Sequence, residues 1–532
     1  MAEKQEKERF IKPPSMTDAL IPIITLLILL VGAVYLYRGD ATGGPFQIAL
    51  ILASIVAGLV AHKNGFSYEE VSKSAINGVS IAMGAIFILL AVGSLIGVWS
   101  MSGTIATMVY YGIQFLNPHW FYLASVIICA LVALGIGSAW TVAGTLGVGL
   151  VGIAIAIGAD PAITAGAVIS GSYFGDKMSP LSETTNLTPA VAGTDLITHI
   201  KAMMATTVPS ILITMVIYAV IGLRANIESA IDLTVALDAI SSVYRISLWT
   251  LLPLLLVVVL AFRRFPPTAS IIAGALLGGL IAIIFQPQVV LNFVNEPELS
   301  TPWAMIKGIW SSMASGFAID TGYPALDMLF SRGGMSSMLT TVWLIISAMG
   351  FGGVMEHSGM LARLIQPLIK RAKHDRSLLI YTGLTAIGIN VVAADQYMAI
   401  VLTGNMYRGV YKQRGIAPQT LSRQIEDTAT VTSPLVPWNS CGAYMSATLG
   451  IATVAYFPFT FFNLINPLLS FVYALVGFRI QHVEEPHEVY GEVPRGKRLH
   501  GVGGHSIDEM APTEVVEDIV HEVKEEAPPV GV

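Results

Sequence analysis

A chain of 532 residues with 54% hydrophobic and only 12% charged side chains, at a mean hydropathy of +0.69, lies far from the soluble-domain norm of about 25% charged. This composition belongs in a bilayer and excludes a secreted enzyme, a nucleic-acid binder and a disordered scaffold. The net charge of −6 is uneven, because residues 481–532 hold 12 acidic against 4 basic side chains and leave the remainder near neutral, at +2.

In chain order, the charged segment 1–15 precedes an apolar run from Ala19 to Leu36. No small-residue cleavage site follows it, so it reads as a first spanning helix rather than a removed signal peptide. Further apolar segments at about 46–61, 79–99, 120–137, 141–158, 162–175, 202–223, 247–262, 268–285, 338–355, 378–394, 396–407, 429–451 and 455–478 predict an all-α polytopic membrane protein. Lys63 and Lys73, Arg263-Arg264, and the cluster Arg363, Lys370, Arg371, Lys373 and Arg376 place their loops, with the N-terminus, on the cytoplasmic side. The loop near 286–300, with Glu296 and Glu298, is then outside. The two cysteines, Cys129 and Cys441, offer neither a disulfide framework nor zinc-ligand spacing. Residues 481–532, proline-rich, acidic and carrying five of the ten histidines, read as a mostly disordered cytoplasmic tail.

The two halves echo each other. Residues 97–105 (GVWSMSGTI) match 353–361 (GVMEHSGML), 133–137 (ALGIG) match 386–390 (AIGIN), and Ser179-Pro180-Leu181 matches Ser433-Pro434-Leu435. The first helix leaves the cytoplasm, whereas its counterpart at 247–262 ends at cytoplasmic Arg263-Arg264. The expected architecture is two inverted-topology repeats with broken helices, at 16–230 and 231–480, which is a secondary-transporter plan. It provides for no enzyme chemistry and no cofactor.

Each half carries one dense polar run in apolar surroundings, FGDKMSPLSETTNL at 174–187 and EDTATVTSPLVPWNS at 426–440. Proline removes a backbone donor and disfavours helix in the residue before it, so both helices should break there. Freed carbonyls together with carboxylates, hydroxyls and amides suit a small hard cation such as Na+. Asp176, Glu183, Asp395 and Asp427 are the candidate ion- and proton-binding groups, with Na+ at Asp176, Asp395 and Asp427. Ser179, Thr184, Asn186, Thr428, Ser433 and Asn439 would complete the oxygen shell. Lys177, the sole base within the two runs, either tethers Asp176 or Glu183 when the ion is absent or makes a purely structural ion pair, and would be the countercharge to a carboxylate substrate. Asp395 alternatively caps a helix, Glu356-His357 either relays protons or sits near a membrane face, and Asp320 and Asp327 fall in a loop or surface helix. An intramembrane aspartyl protease using Asp176 and Asp427 would leave the repeated Ser-Pro-Leu breaks unexplained.

With GSYFGDKMSPLSETTNL, EDTATVTSPLVPWNSCGAY and TGYPALDMLFSRGGM, residues 15–480 resemble the NhaC-type sodium/proton antiporter family, part of an ion-transporter group with paired re-entrant hairpins. The resemblance implies exchange of cytoplasmic Na+ or Li+ for external H+ across the cell (inner) membrane, both termini being cytoplasmic. Its relatives also resemble malate/lactate exchangers coupled to Na+ and H+, which is the alternative. A homodimer is the expected assembly, from the habit of such transporters alone. In the expected mechanism a carboxylate holds either Na+ or a proton, never both, and desolvation brings the two affinities into competition.

Overall fold

The computed structural model describes residues 11–225, 233–322 and 324–483. The reading of the tail beyond Val483 and the repeat boundary at 230/231 lie outside the described residues. Within them every regular element is helical, and the one β-type bridge joins Ile416 to His482.

The first series runs α1 (Met16–Tyr37), α2 (Pro45–Lys63), α3 (Tyr68–Ile81), α4 (Met83–Met101), α5 (Thr104–Phe115), α6 (Phe121–Ile136), α7 (Ala139–Val142), α8 (Val148–Ile157), α9 (Pro161–Met178), α10 (Glu183–Ala192) and α11 (Leu196–Arg224). There follow α12 (Leu233–Val243), α13 (Leu252–Phe262), α14 (Pro267–Phe285), α15 (Pro287–Val294), α16 (Thr301–Ser315), α17 (Pro324–Phe330) and α18 (Leu339–His357). The chain then forms α19 (Met360–Arg371), α20 (Asp375–Val392), α21 (Gln396–Gln413), α22 (Pro418–Ile425), α23 (Ser440–Leu449), α24 (Thr453–Tyr456) and α25 (Phe461–Val476). Pro45, Pro161, Pro267 and Pro418 open helices where their missing N–H costs nothing.

Among the described residues eight helices are long and apolar enough to cross a bilayer, and two further pairs qualify as spans bent by 86° and 60°. Their outward faces are apolar without protein cover: Ile28, Val31 and Leu36 on α1, Val216 and Leu223 on α11, and Leu468 and Val476 on α25 are all exposed. Faces of that size on long helices meet lipid, and the protein is a multi-pass membrane protein.

The expected span at 429–451 is replaced by a broken path. α22 runs into a π turn, Glu426–Thr430, then a 3-10 turn, Ser433–Leu435, and α23 starts only at Ser440. Pro434, with no N–H to give, and extended Val436 separate the pieces. In the first series α9 stops at Ser179, which is extended, and α10 restarts at Glu183 under a Ser182 cap. The segment with Asp320 and Asp327 contains the short helix α17, and Asp327 accepts from Thr321 N and Oγ1, both at 2.6 Å.

The order of elements recurs. α4 passes to α5 at Gly103 (φ 77°) and α18 to α19 at Gly359 (φ 74°), left-handed positions that favour glycine. Helices approach closely over small residues. A Cβ on Gly171 or Gly175 of α9 would lie 2.4 Å from Val126 O or 2.3 Å from Ala130 O of α6. These glycines bring α9 backbone-to-backbone with α6 and fix the height of Asp176 and Lys177, which follow directly.

Candidate functional site

Three helices converge on Asp427, in the π turn after α22. Lys177 Nζ of α9 lies 2.8 Å from Asp427 Oδ1, with both side chains wholly buried. Thr206 Oγ1 of α11 and Asn466 Nδ2 of α25 each reach the same oxygen at 3.0 Å. Asp427 Oδ2 is buried without a partner. Neighbouring Glu426 is likewise buried: its Oε2 accepts a short bond from Thr188 of α10, and its Oε1 has no partner. A π turn carries one residue more than an α turn and re-aims the side chains around it. Here two consecutive acids are held in the protein interior, each with one oxygen engaged and one free.

Asp395 is 3% exposed and caps α21, its Oδ1 accepting from Tyr397 N at 2.8 Å and Met398 N at 3.1 Å. Its Oδ2 accepts from Ser440 Oγ at 2.9 Å, which ties the cap to the start of α23. Asn439 caps α23 through Cys441 N (3.0 Å) and turns its Nδ2 to Asn390 Oδ1 (3.2 Å). Ser433 Oγ lies 3.2 Å from Gln396 Oε1 and 2.7 Å from Thr430 O.

The first polar run is buried at Lys177, Ser179, Ser182, Thr184 and Thr185, half-buried at Asp176 and exposed at Glu183 and Asn186. Glu183 Oε2 accepts from Tyr397 OH at 2.6 Å. Asn186 Nδ2 closes the turn on Pro180 O (2.9 Å) and Ser182 O (2.6 Å). Thr184 Oγ1 lies 3.1 Å from Ser182 Oγ, and Ser179 Oγ accepts from Leu181 N at 3.2 Å. Thr428 turns its hydroxyl back to Gln424 O at 2.6 Å, within its own helix. Among the described residues no three Asp, Glu, His or Cys side chains form a metal-holding group.

One expectation needs correcting in its partner: Lys177 pairs neither with Asp176 nor with Glu183 but with Asp427 of the other half. Burial of both charges explains the choice, since an unpaired ammonium costs several kcal/mol in such surroundings. Sequence reasoning missed Glu426 as a site residue, and with it Thr188, Thr206, Asn466 and Arg423. Arg423, only 3% exposed, stands one helical turn before Glu426. The available signals were the Glu-Asp pair itself and the amides Asn463 and Asn466 inside an otherwise apolar helix.

A family profile described as the Na+/H+ antiporter family matches residues 171–478, a stretch that contains both broken-helix runs and every group around Asp427. The Na(+)/H(+) antiporter NhaC of Alkalihalophilus pseudofirmus is 36% identical over 434 residues, covering 82% of this chain and 91% of that one. The Malate-2H(+)/Na(+)-lactate antiporter of Bacillus subtilis is 31% identical over 468 residues, 87% of this chain and 96% of its own. The Arginine/ornithine antiporter ArcD of Halobacterium salinarum is 31% identical over 482 residues, 90% of this chain and 95% of its own. With its buried acids, its broken helices and relatives matched nearly end to end, this chain belongs to the Na+/H+ antiporter family.

Proposed function

We propose that the protein moves cytoplasmic Na+ (or Li+) outward in exchange for external H+, by alternating access at a buried site around Asp427. The observation that carries this reading is the Lys177–Asp427 pair, wholly buried at 2.8 Å beside the unpartnered Asp427 Oδ2 and Glu426 Oε1. In this reading the pair is the ion-free state. An arriving Na+ takes the free oxygens, with Asp176 and neighbouring hydroxyls and carbonyls supplying further ligands, and weakens the hold of Lys177. A proton on one of these acids removes the negative charge that held the ion. Competition between the two cargoes couples their movement, because a desolvated carboxylate binds a proton or a cation far better than it stays bare. Asp395, with Ser440 and Asn439, anchors the broken ends of α21 and α23 so that the site is reached from one side at a time. Residues 16–230 and 231–480 act as inverted halves in the cell membrane with both termini cytoplasmic, the chain pairing as a homodimer.

The test uses protein in sealed vesicles with a pH dye inside, adding Na+, Li+ and then K+, with and without malate or lactate. Dissipation of a proton gradient by Na+ or Li+ alone, reduced at least tenfold in Asp427→Asn and Glu426→Gln, is the expected result. Full activity in both variants would overturn the assignment.

A second reading, Na+- and H+-coupled exchange of small carboxylates, is favoured by one relative of that description at 31% identity over 87% of the chain. It is adopted instead if proton movement requires the organic acid.

A further inference from the structure

His199, near the start of α11, is wholly buried and outside the groups used so far. Its Nδ1 lies 2.8 Å from Ser422 Oγ of α22. That hydroxyl already donates to Gln419 O at 3.2 Å, within its own helix. It must therefore accept from the ring, which puts the proton of the neutral imidazole on Nδ1. Nε2 is left with a bare lone pair, buried and without a partner. A buried acceptor with no donor is costly, and packing does not account for it. A base ready to take a proton does.

The fold gives that proton a source and an exit. Ser422 stands one helical turn before Glu426, towards the start of α22. Thr206, which holds Asp427 Oδ1, lies two turns further along the same buried face of α11 as His199. The start of α22 leads to the surface, because Gln419 Nε2 donates to Oε1 of exposed Gln481 at 2.8 Å. Next to it, His482 Nε2 lies 3.0 Å from Asp375 Oδ2, in the basic stretch 370–376 that the exchange reading turns to the cytoplasm. Of the elements packed on α11, α9 carries Asp176 and Lys177, α10 Glu183, α22 Arg423 and the π turn Glu426 and Asp427, whereas α6 and α25 carry no charged side chain. Lys177 acts on His199 electrostatically.

We propose that His199 carries the proton out of the exchange site on its cytoplasmic side. The O–H bond of protonated Glu426 or Asp427 breaks, an N–H bond forms at His199 Nε2, and the imidazolium then gives that proton to water at the start of α22. Two cations in one buried site repel each other, so beside Lys177 the imidazolium passes its proton on, while the Nδ1–H bond to Ser422 keeps the ring oriented. The inference rests on the exchange reading and adds to it the group through which the proton leaves.

The test compares full-length protein with His199→Asn, which keeps a donor for Ser422 but has no base. Na+-driven proton movement is followed in sealed vesicles, in H2O and in D2O, and Na+ binding is measured calorimetrically in detergent. The expected result is transport slowed at least about tenfold, a larger rate ratio between H2O and D2O, and Na+ affinity within about twofold of the unaltered protein. Ser422→Ala, which frees the ring but keeps the base, should slow transport less and also raise the isotope ratio, so the result does not hang on one variant folding well. Full rate with an unchanged isotope ratio in His199→Asn would overturn the proposal alone. So would parallel loss of transport and Na+ affinity in both variants, which would make His199 a packing group. No Na+-driven proton movement in the unaltered protein would overturn the exchange reading, and this proposal with it.

Discussion

Asp427 crowds three donors onto one oxygen and leaves the other bare. Such a group is satisfied as a charge only while Lys177 stays. Removing one partner of a buried pair leaves an uncompensated charge and costs about 3–5 kcal/mol, whereas removing both is far milder. Lys177→Met alone should therefore lower the unfolding midpoint in detergent substantially, and adding Asp427→Asn should recover most of the loss, because Thr206 and Asn466 still find an amide oxygen. Equal destabilisation of the single and double variants would show that the two charges do not depend on each other. The partnership was not legible in the sequence. Lys177 stands among Asp176 and Glu183, and nearness along the chain favours those acids. Its actual partner is 250 residues away in the π turn, and the lysine side chain reaches it from α9. For Asp395 the helix cap was legible as the alternative reading, and the structure gives it that cap together with a serine.

Among the elements, α9 carries the site's lysine and is set against α6 by glycine. A Cβ at Gly175 would meet Ala130 O at 2.3 Å, Ala133 Cβ at 2.6 Å and Leu134 N at 2.6 Å, all on α6. Two of these are backbone atoms, so α9 itself would have to move, at a cost of about 1–3 kcal/mol for overpacking. Gly175→Ala should lower both thermal stability and Na+-dependent proton movement, since displacing α9 displaces Lys177 from Asp427. Gly32→Ala on α1 is the control: nothing lies within 4 Å of its Cβ, and alanine's better helix propensity should leave stability level or raise it by up to about 1 kcal/mol. If the two variants behaved alike, helix contact at Gly175 would not be what positions the site. At this scale the Ser-Pro-Leu breaks were readable from proline chemistry, which acts locally. The π turn at Glu426–Thr430 was not, because its geometry depends on partners from other helices: Asn390 Nδ2 donates to Ala429 O at 2.5 Å, and Thr188 holds Glu426. The expected single span over 429–451 failed for the same reason, hydropathy being blind to where a helix stops inside an apolar stretch.

For the whole molecule, the two series interlock rather than sit side by side. α9, α10 and α11 of the first reach the π turn of the second through Lys177, Thr188 and Thr206, while Phe462 N of α25 donates to Ser170 Oγ of α9 at 3.4 Å. Swapping access then requires a shared movement of both series, which is the behaviour expected of inverted repeats. Their inversion makes a topological prediction. The loop with Glu298 should face outward, while Lys373, in the basic stretch after α19, should face the cytoplasm. Both side chains are exposed, and the native cysteines Cys129 and Cys441 are fully buried, so neither should take up a thiol reagent in the folded protein. Glu298→Cys should accordingly react with a membrane-impermeant maleimide in intact cells, and Lys373→Cys only after the membrane is opened. The reverse pattern would turn the molecule over in the membrane and with it the direction assigned to Na+. Labelling of both from outside would leave the stretch between them with an even number of crossings, and the inverted arrangement of the second half would no longer stand.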